Sequence, residues 1–218
     1  MRSFKKISNI KNFYFIIFSI FMFGFTAKTL GQEQCLSLFN SNLTLLQMQS
    51  QYIGEDQGLY FDKITRKHWK VKYFSPAEKR KYQLIINNKR LTDLNKNKYS
   101  SEFDFKTGLF TDGLVILDLE QNIYLLPFEE RGLYHHSSLS NGQNVFFAGT
   151  MTVSDGLVIS ISDLSGHYKP NISALQQFIH YLESSGLDLR YANISGYNVL
   201  KKFKQHSMTY KEWKKLNP

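Results

Sequence analysis

Two short polar segments hold the side chains best suited to chemistry. The first is Tyr134-His135-His136-Ser137-Ser138-Leu139, followed by Gly142; the second is Ser165-Gly166-His167-Tyr168-Lys169-Pro170. Histidine has the side-chain pKa nearest neutrality, so His136 and His167 suit general acid–base work. Ser137, Ser138 and Ser165 are the candidate nucleophiles, and Ser137, next to His136, is placed in the catalytic set. Ser138, Ser165, Gly166 and Tyr168 suit ligand contact through hydroxyls, a close backbone approach and an aromatic face. Asp163 is the nearest carboxylate to orient an imidazole. The chain has no G-x-S-x-G elbow and no H-E-x-x-H pair, which weakens ordinary hydrolase and zincin readings. His135, His136 and His167 are spaced more loosely than zinc ligands usually are, so no metal set and no cofactor is assigned. An architectural reading uses the same residues: Gly142, Gly149, Gly156 and Gly166 for turns and close packing, His167 and Tyr168 for hydrogen bonds across a hairpin base, and serines as loop caps.

These segments must be positioned by the elements between and around them. Val145–Val153 and Leu157–Ile161 read as strands joined at Asp155-Gly156, a pair suited to a type I′ turn with positive φ at both centres. That hairpin carries one polar segment at each end. Upstream, Tyr82–Ile86, Leu114–Leu119 and Ile123–Leu126 read as strands of an antiparallel meander, with turns at Asn87-Asn88, Asp112-Gly113 and Gln121-Asn122. Trp69, Val71 and Tyr73 alternate with Lys70 and Lys72, a strand pattern with solvated lysines on the far face. Ser75-Pro76-Ala77-Glu78 combines a capping box with proline at the first helical position. After Pro170, the spacing of Leu175, Phe178, Ile179 and Leu182 predicts an amphipathic helix over about Ser173–Ser185, capped by Ser173 with Gln176 and stopped at Gly186. The fold class expected is α+β: a curved, mainly antiparallel sheet packed by that C-terminal helix.

The 218 residues divide into an N-terminal segment 1–31, an extension 32–58, a core domain 59–190 and a basic aromatic tail 191–218. Residues 1–31 read as a signal peptide, with Arg2, Lys5, Lys6 and Lys11 before the apolar run Phe13–Ala27. That run is shorter than the ~20 residues a transmembrane helix needs. Thr29-Leu30-Gly31 offers a cleavage site, giving a mature chain from near Gln32 that is secreted or periplasmic. Membrane contact would then be transient, through the signal alone. A helical stretch over Leu36–Met48 is compatible with the pattern of the extension. Cys35 is the single cysteine, so no intrachain disulfide can form. The formal charge of +9 falls to about +4 without residues 1–31, leaving 22 basic against 18 acidic residues and no electrostatic case for nucleic acid. Asn42, Asn171 and Asn193 start N-x-S/T sequons. In the tail, Thr209 and Glu212 suit the cap of a solvated terminal helix.

In order and spacing, His136-Ser137-Ser138, Gly142, Ala148-Gly149, Gly156 and Ser165-Gly166-His167-Tyr168-Lys169-Pro170 resemble the core domain of plant IQ-motif calmodulin-binding proteins. Related segments occur in bacterial secreted and toxin-associated proteins. The likeness runs over roughly residues 70–190, from Tyr73-Phe74-Ser75-Pro76 to Asp188. It implies a shared domain and a site location, with no reaction attached. The chain has no IQ motif, so calmodulin is not carried over as a partner. The function expected is a secreted, effector-like or host-interaction protein with a polar His/Ser/Tyr pocket for a protein or small-molecule ligand. The alternative is an exported enzyme using His136 and His167, either a transferase of ADP-ribosyltransferase type or a hydrolase.

Overall fold

The two most continuous apolar runs lie at the centre of the molecule. The computed structural model describes residues 44–104, 106 and 108–217. The signal segment, Cys35, Asn42 and most of the stretch expected to be helical over Leu36–Met48 lie outside them. Within that stretch, Leu46 is not helical; it exchanges backbone hydrogen bonds with Val145 at 2.8 and 3.0 Å.

Twelve strands form among the described residues. Two short antiparallel pairs, β1 (Phe61–Asp62) with β2 (Lys67–His68) and β5 (Phe103–Asp104) with β6 (Leu109–Phe110), stand apart. The remaining eight make one sheet. Its members are β3 (Gln83–Asn87), β4 (Arg90–Thr92), β7 (Gly113–Leu117), β8 (Ile123–Leu126), β9 (Phe147–Ser154), β10 (Leu157–Ser162), β11 (Asn193–Ser195) and β12 (Ser207–Thr209). Their order is β12-β11-β10-β9-β7-β8-β3-β4, antiparallel throughout except for β10 beside β11. Every residue of β7 and β8 is buried, as continuous Leu/Val/Ile runs predict for strands covered on both faces. The sheet curls: the Leu91 N–H of β4 donates to the Gly156 carbonyl at 2.9 Å, joining an edge strand to the β9–β10 turn.

Among the described residues, five α-helices are spaced along it: α1 (Pro76–Lys79), α2 (His136–Ser140), α3 (Ile172–Ser184), α4 (Tyr197–Phe203) and α5 (Tyr210–Leu216). The α1 cap is as expected, with Ser75 and Glu78 hydrogen-bonded reciprocally. Helix α3 connects the parallel pair β10 and β11 and stacks Phe178 on Phe147 of β9, centroids 4.2 Å apart. Its cap differs from the expected Ser173. Asn171 accepts the Ala174 N–H at 2.9 Å, so the cap lies two residues earlier. At its other end Gly186, at φ 85°, closes a Schellman motif through Leu187 N–H to the Leu182 carbonyl.

Two expectations are corrected. Trp69–Tyr73 is not a strand: Trp69 and Val71 are buried and Lys70 and Lys72 exposed, but the backbone bonds run to Tyr60, Glu55 and Leu133 rather than along a ladder. Residues after 191 are not a solvated tail. They supply two sheet strands, and α5 buries Trp213 to 2 % exposure against the T-shaped partner Phe203.

Candidate functional site

The site starts in a segment without periodicity. Gly54 and Gly58, both at φ 81°, bracket the single 3-10 turn Glu55–Gln57. This turn places Glu55 wholly inside the protein, where its Oε2 accepts the His167 Nε2–H at 2.8 Å. The Tyr73 hydroxyl lies 3.5 Å from Oε1, and burial and the Glu55 charge push its pKa up, so it stays a protonated donor. The His167 ring packs 4.0 Å from Tyr52 and 4.6 Å from His135, and His135 packs 4.8 Å from Trp69, all within 27° of parallel. Four flat rings thus form one wall, held by a buried carboxylate behind it.

The first polar segment folds as α2 and the turn before it. The His135 N–H donates to Ser138 Oγ at 3.1 Å, which starts the helix. The Gly132 N–H donates to His135 Nε2 at 2.9 Å. The ring proton therefore sits on Nδ1, 3.2 Å from Glu129 Oε1, and His135 draws the Glu129 carboxyl below its ordinary pKa. His136 points the opposite way along the helix entry. Its Nε2–H donates to the Gly149 carbonyl at 2.7 Å, which leaves Nδ1 to accept the Ser165 hydroxyl at 3.2 Å. The Gly149 carbonyl is available because β9 and β10 approach closely there. A Cβ on Gly149 would sit 2.1 Å from the Ser162 carbonyl oxygen.

The sequence candidates separate on this frame. His136, His167, Ser165 and Gly166 line one open cavity of about 1000 Å³, together with His135, Trp69 and Tyr52. Ser137, Ser138 and Tyr168 are not among its lining residues. Ser137 and Ser138 are fully buried, because α2 packs this face inward against β7. Tyr168 is 2 % exposed and donates its hydroxyl to the Gln143 carbonyl at 2.7 Å, a core role rather than a ligand face. The hydroxyl nearest a histidine ring nitrogen is thus that of Ser165, not Ser137. Asp163 does not orient an imidazole. Its Oδ2 accepts the Asn198 N–H at 2.9 Å and caps α4, whose own cap residue is the side-chainless Gly196. Glu55, which no motif marked, is the carboxylate on His167.

Among the described residues, no group of three His, Cys, Asp or Glu side chains is placed to hold a metal ion. The His135 and His136 nitrogens are occupied by the hydrogen bonds above. No described helix is long and apolar enough to cross a membrane.

Burial holds the His136 pKa down from 6.5 to about 4, against an opposing pull from the Gly149 carbonyl. The native state then binds fewer protons than the unfolded chain between those values. The stability from neutral His136 is complete above pH 6.5, falls as acid is added, and is gone below about pH 4. His136→Gln has no such titration. Its unfolding free energy is expected to lose about 2 kcal/mol less than the wild type between pH 7 and 5, measured by urea denaturation. Parallel curves for the two proteins would show that His136 titrates normally.

What this geometry defines is an α+β domain with a curled sheet in which two histidine segments, far apart in the chain, meet at one cavity. Residues 78–175 match the family model described as the IQ motif-containing protein middle domain. Among curated proteins, the chain is similar to IQ domain-containing proteins of Arabidopsis thaliana, IQM1 and IQM5 among them. It is 28% identical to IQM1 over 119 residues, which cover 55% of this chain and 23% of that protein. It is 23% identical to IQM5 over 140 residues, or 63% of this chain and 27% of that protein. The chain thus spans about a quarter of the length of these relatives. The resemblance read from the two polar segments holds. No solved structure matches the chain. The matched residues include His136, Gly149, Ser165 and His167; Glu55 and Asn198 fall outside them.

Proposed function

We propose that this chain is an exported, effector-like protein whose core domain binds a small polar ligand, or a side chain presented by a partner protein, in the cavity between the two histidine segments. One observation carries the reading: His135, His136, His167 and Ser165 converge on one open cavity while a fully buried carboxylate holds His167 in place. A buried polar pair of this kind contributes little net stability compared with apolar residues of similar volume. Its presence behind a cavity wall is better accounted for by recognition. Export is supported by the basic and apolar pattern of residues 1–31.

The test is a thermal-shift screen of nucleotides, sugars and amino-acid derivatives against the purified protein. At least one class is expected to raise Tm by about 3 °C or more, corresponding to roughly 1 kcal/mol of ligand stabilisation. The gain is expected to disappear in Arg131→Ala, which removes a half-exposed cation from the cavity wall. A screen in which no class shifts Tm, or in which Arg131→Ala responds as the wild type does, would defeat the proposal.

An enzymatic reading has a separate observation in its favour, the Ser165–His136 hydrogen bond.

A further inference from the structure

We infer that Ser165 is a nucleophile, that His136 Nδ1 is its general base, and that the cavity processes small carboxylic esters by acyl transfer to water. The inference rests on the cavity being a ligand site and goes beyond binding.

The hydrogen bonds around Ser165 assign the roles. The Gly149 carbonyl can only accept, so His136 Nε2 carries the proton and Nδ1 is a bare lone pair. The Ser165 hydroxyl is the donor facing that lone pair, at 3.2 Å. The Tyr168 N–H donates to Ser165 Oγ at 3.3 Å and fixes its rotation. Oγ keeps a second lone pair, and Ser165 is only partly buried at the cavity wall. The arrangement of nucleophile, base and orienting group is therefore complete, with a backbone carbonyl standing where a carboxylate often stands. The N–H groups of Gly166 and His167, which follow the nucleophile, donate to no backbone carbonyl among the described residues. They are the donors available to an oxyanion. Leu114 and Leu164 add apolar surface to the same cavity, suited to a short acyl chain.

The step balances without a cofactor. Oγ bonds to the acyl carbon as its proton passes to His136 Nδ1. The carbon–oxygen bond to the alcohol then breaks, and the alcohol leaves with that proton. The Glu129 carboxylate lines the same cavity, and its charge favours the protonated His136 ring formed in between. Water then attacks the acyl-serine, gives its proton to Nδ1, and the acid departs as Oγ regains a proton. His136 is neutral at neutral pH, since burial disfavours its protonated form.

The experiment treats the purified full chain with a fluorophosphonate probe and with p-nitrophenyl acetate. The expected result is one phosphonyl group on the peptide holding Ser165, and a burst of nitrophenol. Labelling is expected to fall at least about 100-fold in Ser165→Ala and in His136→Gln. Ser165→Ala is checked for folding by its Tm. If it fails to fold, Ser165→Cys keeps a donor towards His136, and its alkylation by iodoacetamide at position 165 should slow when His136→Gln is added. No adduct, an adduct on another residue, or undiminished labelling of the variants overturns the inference. The two readings fail separately: a compound that raises Tm without any serine adduct leaves the binding site standing and removes the nucleophile, whereas neither response removes both.

Discussion

Replacing Glu55 with alanine is expected to lower the unfolding free energy by about 3–5 kcal/mol at pH 7. Glu55 is 0 % exposed and its carboxylate faces His167, itself 4 % exposed, across 2.8 Å. Removing one member strands the other in a region of low polarizability. The imidazole N–H loses its acceptor, and the Tyr73 hydroxyl loses its neighbour. The turn between Gly54 and Gly58 would hold its place through the Val71 N–H to Glu55 carbonyl bond, which alanine keeps. The loss therefore reports on the side chain. Urea denaturation supplies the number. The paired replacement Glu55→Leu with His167→Phe leaves no polar orphan and is expected to recover most of it. A cost under about 1 kcal/mol for Glu55→Ala would show that the pair is hydrated and the wall loosely held.

Gly149→Ala is expected to cost about 3 kcal/mol, or on the order of 5–10 °C in Tm. The added methyl would meet the Ser162 carbonyl oxygen at 2.1 Å and the Phe147 ring at 2.7 Å. Backbone cannot yield as the end of a flexible side chain does, so β10 must retreat from β9. That retreat moves Ser162 and displaces the Gly149 carbonyl from His136. The β9–β10 pairing already carries a register shift between Val158 and Ser160, and the strands below it have little slack. Differential scanning calorimetry checks the prediction. A wild-type Tm would mean that the two strands do not approach as described.

What could be read from the residues alone was whatever is local. Asp155 and Gly156 take φ of 50° and 77°, as a two-residue turn between twisted strands requires. The Ser75 capping box and the apolar spacing of α3 were equally legible, because both depend on neighbours within four residues. At the Asn87-Asn88 turn the positive φ values fall on Asn88 and Lys89, one position later, since register decides which residues reach the corner. Trp69, Val71 and Tyr73 showed which side chains turn inward but not what their backbone pairs with. In the site, His136, His167, Ser165 and Gly166 were named from type and spacing, and all four line the cavity. The choice among serines was not legible: Ser137 and Ser165 are alike in sequence, and only the packing of α2 against the sheet buries the first. Glu55 lies 112 residues from its histidine, a separation no short motif spans. The pair of glycines around it was the available signal, since a turn fixed at both ends marks a side chain placed with care. The terminal region misled because six exposed lysines flank Trp213 from 201 to 215, and their charge obscured one buried ring.

The crossover from β10 to β11 has a consequence for when the cavity comes into being. Tyr197 and Asn198 form part of its wall, and Asn198 is the residue that holds Asp163. Both follow the whole meander, the hairpin and α3 in the chain. Glu55, at the far side, precedes all of them. A polypeptide emerging N-terminus first therefore carries the floor of the cavity long before its rim, and ring closure waits on contacts of high sequence separation. Incomplete chains present the histidines to water without an enclosure. The wall of the cavity is complete only once the chain has been made through Asn198.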